Sequence, residues 1–204
     1  MNKTRIAFGI LTASIVAVSF ALAANRTFVV PTDAQFDAQK VFTIENQTDI
    51  ENFTARTNKI TGTVQFDPEA KTGSATLMID GASIDTGVAL RNEHMRSADW
   101  FNFDKNPEVK FVTTSIKNAG GDNYRVTGNL TLHGVTKALT TKATLRLTKA
   151  NDVTKMIGYT GDVVAIVTKF KIKLSDFGVK HMAISAGRVS DELDATIKFV
   201  ASAQ

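Results

Sequence analysis

The sequence predicts an all-β domain in which short antiparallel strands either close into a barrel or stack as a sandwich. From about residue 41 onward, apolar and polar residues alternate with a period of two, which is typical of strands with one buried face. Turn-forming residues such as Asp67-Pro68, His133-Gly134 and Asn151-Asp152 separate these runs at short intervals. Strands with one apolar side must close or stack to bury that side.

The first 23 residues have the pattern of a secretory signal peptide. Lys3 and Arg5 precede an uncharged apolar run at 6–20, and Ala21-Leu22-Ala23 provides a small-x-small cleavage site. An uncleaved membrane anchor is the alternative, but the run is shorter than the roughly 20 residues that span a bilayer. We therefore expect residues 1–23 to be removed and the remainder to be periplasmic or secreted.

The remaining chain is predicted to hold one domain, over residues 41–204. Residues 24–40 have no sustained period, so we expect an N-terminal leader there, with residues 28–30 as an alternative edge strand. The clearest strand is 168–174, where an apolar face alternates with Lys169, Lys171 and Lys173. Similar alternation predicts strands at 63–66, 76–80, 124–127, 143–148 and 195–199.

One short helix is expected between two strands, near residues 88–100. Leu90, His94 and Ala98 fall at steps of four, which places them on one helical face. Elsewhere in the predicted domain, patterns of amphipathic helices are scarce.

Composition argues against several classes of function. The chain has no Cys and three His, which excludes thiolate chemistry and leaves little material for a metal centre or a catalytic base. The net charge is +4 without a concentrated basic run, so we do not expect a nucleic-acid partner. We expect no metal, no cofactor and no enzymatic activity.

Three separated segments resemble the signature of the YceI-like family. They are IDTG at 84–87 followed by RNEHMRSADWF at 91–101, with Pro107 and Lys110-Phe111 beyond it; TGNLTLHGVTK at 127–137; and SDFG at 175–178. Their order and spacing agree with the family over about residues 41–200. The resemblance implies an extended lipocalin-like antiparallel β-barrel of about eight strands that is exported and holds a polyisoprenoid or similar long-chain lipid in a central apolar tunnel.

The apolar faces of the strands therefore have two interpretations. An eight-stranded barrel is just wide enough to be filled by its own side chains or to hold one elongated ligand, and spacing alone favours a packed core. With the resemblance included, we expect the apolar face to line a tunnel. The predicted lining residues are Phe53, Val64, Phe66, Leu77, Ile79, Phe111, Val126, Leu145, Phe170, Ile172, Leu174, Ile197 and Phe199.

The front end of the predicted domain departs from the family. Many members have a His-Ser pair on the first strand and a second His in a longer loop, whereas residues 44–62 are shorter here and have neither His. This difference leaves the contacts of a lipid head group, and the preferred lipid, open.

Polar residues are concentrated in the predicted helix: Arg91, Glu93, His94, Arg96 and Asp99, followed by Trp100. We expect a structural clasp in which the arginines pair with Asp99 or nearby carbonyls and Trp100 and Phe101 cover the barrel. The alternatives are an anion contact for a pyrophosphate head group and an acid–base cluster. Of the other histidines, His133 is expected to be exposed in a turn, and His181 has no evident partner. The lysine face at 169–173 is expected to be solvated, although it could contact anionic lipid head groups.

The function predicted from sequence is that of an exported lipid-binding protein for carriage or storage, without covalent chemistry. Burial of a long chain drives such binding, because each methylene group contributes about 0.8 kcal/mol. The alternatives are an enzyme that acts on such a lipid through the cluster from Arg91 to Asp99, and a filled barrel that acts through protein contacts in the envelope. A lipid ligand and transient contact with a membrane surface are the expected interactions; a monomer and a homodimer both stay open.

Overall fold

The computed structural model describes residues 25–203, which form ten β-strands and several short helices. The predicted signal peptide at 1–23 lies outside the described residues. The strands are β1 (Arg26–Val29), β2 (Val41–Asn46), β3 (Phe53–Thr57), β4 (Ile60–Asp67), β5 (Thr72–Asp80), β6 (Glu108–Asn118), β7 (Asn123–Leu132), β8 (Val135–Thr148), β9 (Val163–Lys173) and β10 (Glu192–Ala203). The α-helices are α1 (Ala89–Arg96), α2 (Asp152–Ile157) and α3 (Met182–Ser185), and 3-10 helices cover Ala34–Gln39, Gly81–Ser83 and Leu174–Phe177.

These strands close into an antiparallel barrel. From β4 to β10 each strand pairs with the next along the chain, and β1 pairs with both β4 and β10 to close the sheet. β2 also pairs with β10, and β3 pairs with β2. Around the barrel, β1 and β2 together occupy the position beside β10, and β4 and β3 together occupy the position after that. Ten strands therefore fill eight positions. The predicted eight-stranded barrel is confirmed.

The barrel begins at Arg26 in the structure, and not at residue 41. β1 is a strand within the region predicted to be a leader, and it pairs on both sides, so it is not an edge strand either. Phe28 is fully buried and lies opposite Val64 in the sheet. Four residues are too few to establish a period of two, which is why the pattern did not reveal β1.

Asp162 ties the closing strand to the neighbouring loops. Its carboxylate lies 2.8 Å from Arg26 and 3.2 Å from Lys149, and it accepts a hydrogen bond from the Ala150 amide. These interactions lower the pKa of Asp162 from its ordinary 3.8 to about 2, and the amide hydrogen bond makes the largest contribution. The Asp162 carbonyl also accepts from the Ala203 amide at the end of β10.

The inward faces of the strands form one continuous apolar cluster. Ten of the predicted lining residues are buried in it: Val64, Phe66, Leu77, Ile79, Val126, Leu145, Ile172, Leu174, Ile197 and Phe199. Phe111 and Phe170 are half-buried and pack against the cluster. Phe53 is half-buried elsewhere, beneath the Arg91 guanidinium, which lies 4.2 Å from its ring centre. Leu174 belongs to a 3-10 helix, because β9 ends at Lys173.

The helices are short and lie at the ends of the barrel. α1 falls within the predicted 88–100 region and has no buried residue. Asn151, predicted as part of a turn, instead caps α2: its side chain accepts from the Val153 and Thr154 amides. Among the described residues, no helix combines the length and the apolar character needed to cross a membrane.

Candidate ligand-binding site

The barrel wall opens where β8 and β9 separate. The two strands pair from Thr148 and Val163 as far as Lys142 and Lys169, and the pairing stops there. Beyond this point the first half of β8 pairs with β7, whereas the end of β9 pairs with β10. We call this opening the β8–β9 gap. It is bounded by residues 135–141 of β8 and 170–173 of β9.

Hydrogen bonds hold both ends of the β8–β9 gap. At the paired end, the Thr141 hydroxyl donates to the Lys169 carbonyl at 2.7 Å, and the Thr168 hydroxyl donates to the Lys142 carbonyl at 3.0 Å. At the far end, Nδ1 of His133 lies 3.0 Å from the Phe177 carbonyl oxygen. His133 is therefore half-buried and bonded, where exposure was predicted. These contacts make the gap a defined feature of the wall.

Apolar side chains face the interior at the β8–β9 gap. Leu139 lies on the same face of β8 as the buried Ala143, and Phe170 lies on the same face of β9 as the buried Ile172. Both side chains therefore point inward. They are nevertheless half-buried, because they line an open pocket of about 650 Å³ at the gap. The pocket is therefore lined both by outward-facing residues of the wall and by these two inward-facing side chains.

A glycine shapes the interior beside this pocket. Gly128 pairs with Leu139, and a Cβ atom at Gly128 would lie 2.5 Å from both the Phe111 ring and the Val112 carbonyl oxygen. The missing side chain makes room for the Phe111 ring on the inner face. Phe111 is itself half-buried, so surface remains on it that another molecule could cover.

The polar motif of the predicted helix is not assembled as a single cluster. Arg91 pairs with Glu51 at 2.9 Å, and the same carboxylate lies 3.1 Å from Arg188. Asp99 is exposed and pairs with neither Arg91 nor Arg96, so the predicted clasp through Asp99 is wrong. Sequence reasoning missed Glu51 because it lies 40 residues from its partner.

The remaining residues of the motif are dispersed. Glu93 and His94 are exposed, and Arg96 is half-buried, with its Nε buried and without a hydrogen-bond partner in the described part of the chain. In front of the helix, Asp85 accepts from Asn92 at 2.6 Å and from the Gly87 amide. These two bonds, with Asn92 contributing most, lower the pKa of Asp85. The arrangement anchors the loop without bringing an acid and a base together.

A second, smaller pocket lies at the far end of the gap. It is open, has a volume of about 420 Å³, and is lined in part by Asp99, Trp100, His133 and His181. The Trp100 and His181 rings stack with their centres 4.4 Å apart, and Nδ1 of His181 accepts from the Ala183 amide to cap α3. Within residues 25–203 no group of three or more metal-ligating side chains is found.

Lys171, in the middle of the predicted lysine face, forms ion pairs. Lys171 pairs with Glu192 at 2.5 Å and lies 3.9 Å from Asp194. The hydrogen bond to Glu192 raises the pKa of Lys171. Lys169 and Lys171 both border the larger pocket, whereas Lys173 is not among its lining residues.

Comparison with known proteins identifies the family. The sequence pattern of the YceI-like domain matches residues 20–201. This chain belongs to the YceI-like family. The UPF0312 protein of Pseudomonas paraeruginosa is 39% identical over 140 residues, which cover 68% of each chain. Protein YceI of Escherichia coli O157:H7 is 36% identical over 137 residues, covering 67% of this chain and 66% of that one.

Solved structures share the barrel. BcnA of Burkholderia cenocepacia superposes with a TM-score of 0.70 and 27% identity, covering 81% of this chain and 98% of that one. A polyisoprenoid binding domain from Saccharophagus degradans, implicated in plant cell wall breakdown, has a TM-score of 0.62 and 15% identity, covering 88% and 99%. At that identity the second similarity concerns the fold alone.

Proposed function

We propose that this YceI-like protein is an exported binding protein that holds a polyisoprenoid or a similar long-chain lipid in the apolar interior of its barrel. It serves carriage or storage and performs no covalent chemistry. The observation that carries the proposal is the β8–β9 gap, where inward-facing Leu139 and Phe170 stay half-buried beside an open pocket. A lipid chain would cover this remaining apolar surface.

The energetics favour a long apolar ligand over a small polar one. Ten buried methylene groups contribute about 8 kcal/mol, before the costs of ordering the chain and the protein. Chains that differ by one methylene group should differ by about 0.8 kcal/mol, or about fourfold in Kd, so selectivity among chains of similar length is low. The ligand class named for the Saccharophagus degradans domain agrees with this proposal.

The alternatives have less support. An enzyme acting through Arg91 and Asp99 needs these groups on one substrate, but Arg91 is paired with Glu51 and Asp99 belongs to the smaller pocket. A filled barrel that acts through protein contacts leaves the half-buried surface of Leu139 and Phe170 without a role.

Native mass spectrometry of the protein purified from its own envelope tests the proposal. We expect the polypeptide to begin at Ala24, following cleavage after Ala23, and to carry one lipid that is released intact on denaturation. Chemical conversion of that lipid during incubation would support the enzyme. A protein with no retained lipid, and no binding of added long-chain lipids, would contradict the proposal.

A further inference from the structure

Four cations lie in one row across the outer face of the barrel. Lys117 on β6 pairs with Arg125 on β7, Arg125 pairs with Lys142 on β8, and Lys142 pairs with Lys169 on β9. All four side chains are exposed. We call this set the basic row. The residues come from four separate parts of the sequence, and the sheet register alone brings them together.

The basic row is unfavourable for the barrel on its own. Directly opposed residues in an antiparallel sheet have Cβ atoms about 4.5–5.5 Å apart, and like charges at that separation repel each other. Among the described residues, no carboxylate lies within 4 Å of any of the four cations, in contrast to the neighbouring Lys171. A bound anion would compensate this repulsion.

The basic row ends at the β8–β9 gap. Lys142 and Lys169 form the last pair before the strands separate, and both border the 650 Å³ pocket together with Arg125. The same pocket reaches inward-facing Leu139 and Phe170. One carboxylate, Asp194, also borders it, but Asp194 lies 3.9 Å from Lys171. Positive charge outside and apolar surface inside therefore meet at one opening.

We propose that the basic row binds a phosphate-bearing head group and that the lipid chain of the same molecule passes through the β8–β9 gap into the barrel. This inference rests on the proposed lipid-binding function and adds the class of head group and the position of the entrance. Arg125 offers planar paired donors for phosphate oxygens, and the two lysines provide point charges. The site differs from the anion contact that the sequence suggested at Arg91.

The experiment compares two lipids with one chain. Binding of geranylgeranyl phosphate and of geranylgeraniol to the full exported chain is measured below their aggregation concentrations, at low and at high salt. We expect the phosphate to bind at least tenfold more tightly than the alcohol at low salt, and this preference to shrink as salt screens the exposed cations. The double variant Lys142→Gln with Lys169→Gln should lose the preference while still binding the alcohol.

A matched control has the same change in charge away from the gap. Lys110→Gln with Lys155→Gln removes two exposed lysines, one on β6 and one on α2, and should keep the preference. The melting temperature of the Lys142/Lys169 variant should rise, because repulsion within the basic row is relieved. The Lys142/Lys169 variant should therefore keep its fold and lose its preference for the phosphate.

The outcomes separate the two proposals. Equal binding of both lipids to the wild type, or a preference that survives in the Lys142/Lys169 variant, overturns the head-group site and leaves lipid binding intact. Loss of the preference when inorganic phosphate is added at the concentration of the lipid assigns the basic row to free phosphate, which also overturns the head-group site. Failure of both lipids to bind overturns the proposed function itself.

Discussion

Two neighbouring inward-facing residues of β9 should respond in opposite ways to truncation. Ile172 is 2% exposed and packed in the core, whereas Phe170 is half-buried and borders the pocket at the β8–β9 gap. Replacing Ile172 with Ala leaves a cavity in a packed region, which costs roughly 2–5 kcal/mol of unfolding free energy. Phe170→Ala removes a ring that already borders open space, so its cost should lie below the roughly 3–5 kcal/mol of a fully packed Phe.

The effect on lipid binding should be reversed. If about 60 Å² of the Phe170 ring is covered by lipid, its loss at about 25 cal/mol per Å² removes about 1.5 kcal/mol, or about a tenfold increase in Kd. Ile172→Ala should leave Kd within about a factor of three, because its side chain lies behind the pocket surface. Ile172→Ala is therefore expected to lower mainly the stability, and Phe170→Ala mainly the lipid affinity.

Denaturant unfolding of delipidated protein, together with titration by a fluorescent long-chain lipid, measures both quantities. Wild type, Phe170→Ala and Ile172→Ala are compared under the same conditions. The reasoning is refuted if Phe170→Ala destabilises the delipidated protein as strongly as Ile172→Ala and leaves lipid affinity unchanged. Phe170 would then be an ordinary core residue, and the pocket would have no part in binding.

Four further substitutions test how the barrel and its loops are held together. Glu51→Gln should lower the unfolding free energy by about 1–2 kcal/mol in chemical denaturation, because the partly buried Glu51 carboxylate pairs with two arginines. Asp99→Ala should change it by less than about 0.5 kcal/mol. Equal effects of the two substitutions would contradict the conclusion that Glu51, and not Asp99, holds the arginines. The Asp162 carboxylate has a folded-state pKa of about 2, below its ordinary value, so the stability that it contributes is fully present above about pH 5 and is lost as the pH falls toward 2. The stability difference between wild type and Asp162→Asn should therefore shrink by up to about 2 kcal/mol between pH 5 and pH 2, and a difference that is constant with pH would contradict this linkage. Gly128→Ala should destabilise by about 1–3 kcal/mol and displace the Phe111 ring in an NMR spectrum or a crystal structure, while an unchanged ring and melting temperature would show that the interior has space to spare.

The sequence predicts the barrel well because its strongest signal is local. The alternation of Phe170 and Ile172 with lysines is visible within seven residues, and it gives the correct face of β9. β1 was missed because four residues carry little periodicity, although tertiary pairing on both sides makes it a full member of the sheet. The turn predicted at Asn151 became a helix cap, since the same side chain serves both local structures.

The candidate site depends on information that sequence periodicity does not contain. Lys117, Arg125, Lys142 and Lys169 become neighbours through the register of three strand pairs, and the β8–β9 gap arises where a ladder ends. Likewise, the pairing of Arg91 with Glu51 joins the helix to the shortened front end across 40 residues. The inward parity of Leu139 is hard to find in the sequence, because Lys137 lies two positions earlier on the same side of β8 and interrupts the apolar alternation.

Photo-cross-linking with a diazirine-bearing long-chain lipid tests the central claim most directly. The purified protein is irradiated with the lipid bound and then digested, and the labelled residues are identified by mass spectrometry. We expect labels on Phe111, Leu139 and Phe170, on the inner face at the β8–β9 gap, and competition by unlabelled lipid should remove them. Labels confined to Trp100 and His181 at the smaller pocket, or labels that unlabelled lipid does not reduce, would contradict the account.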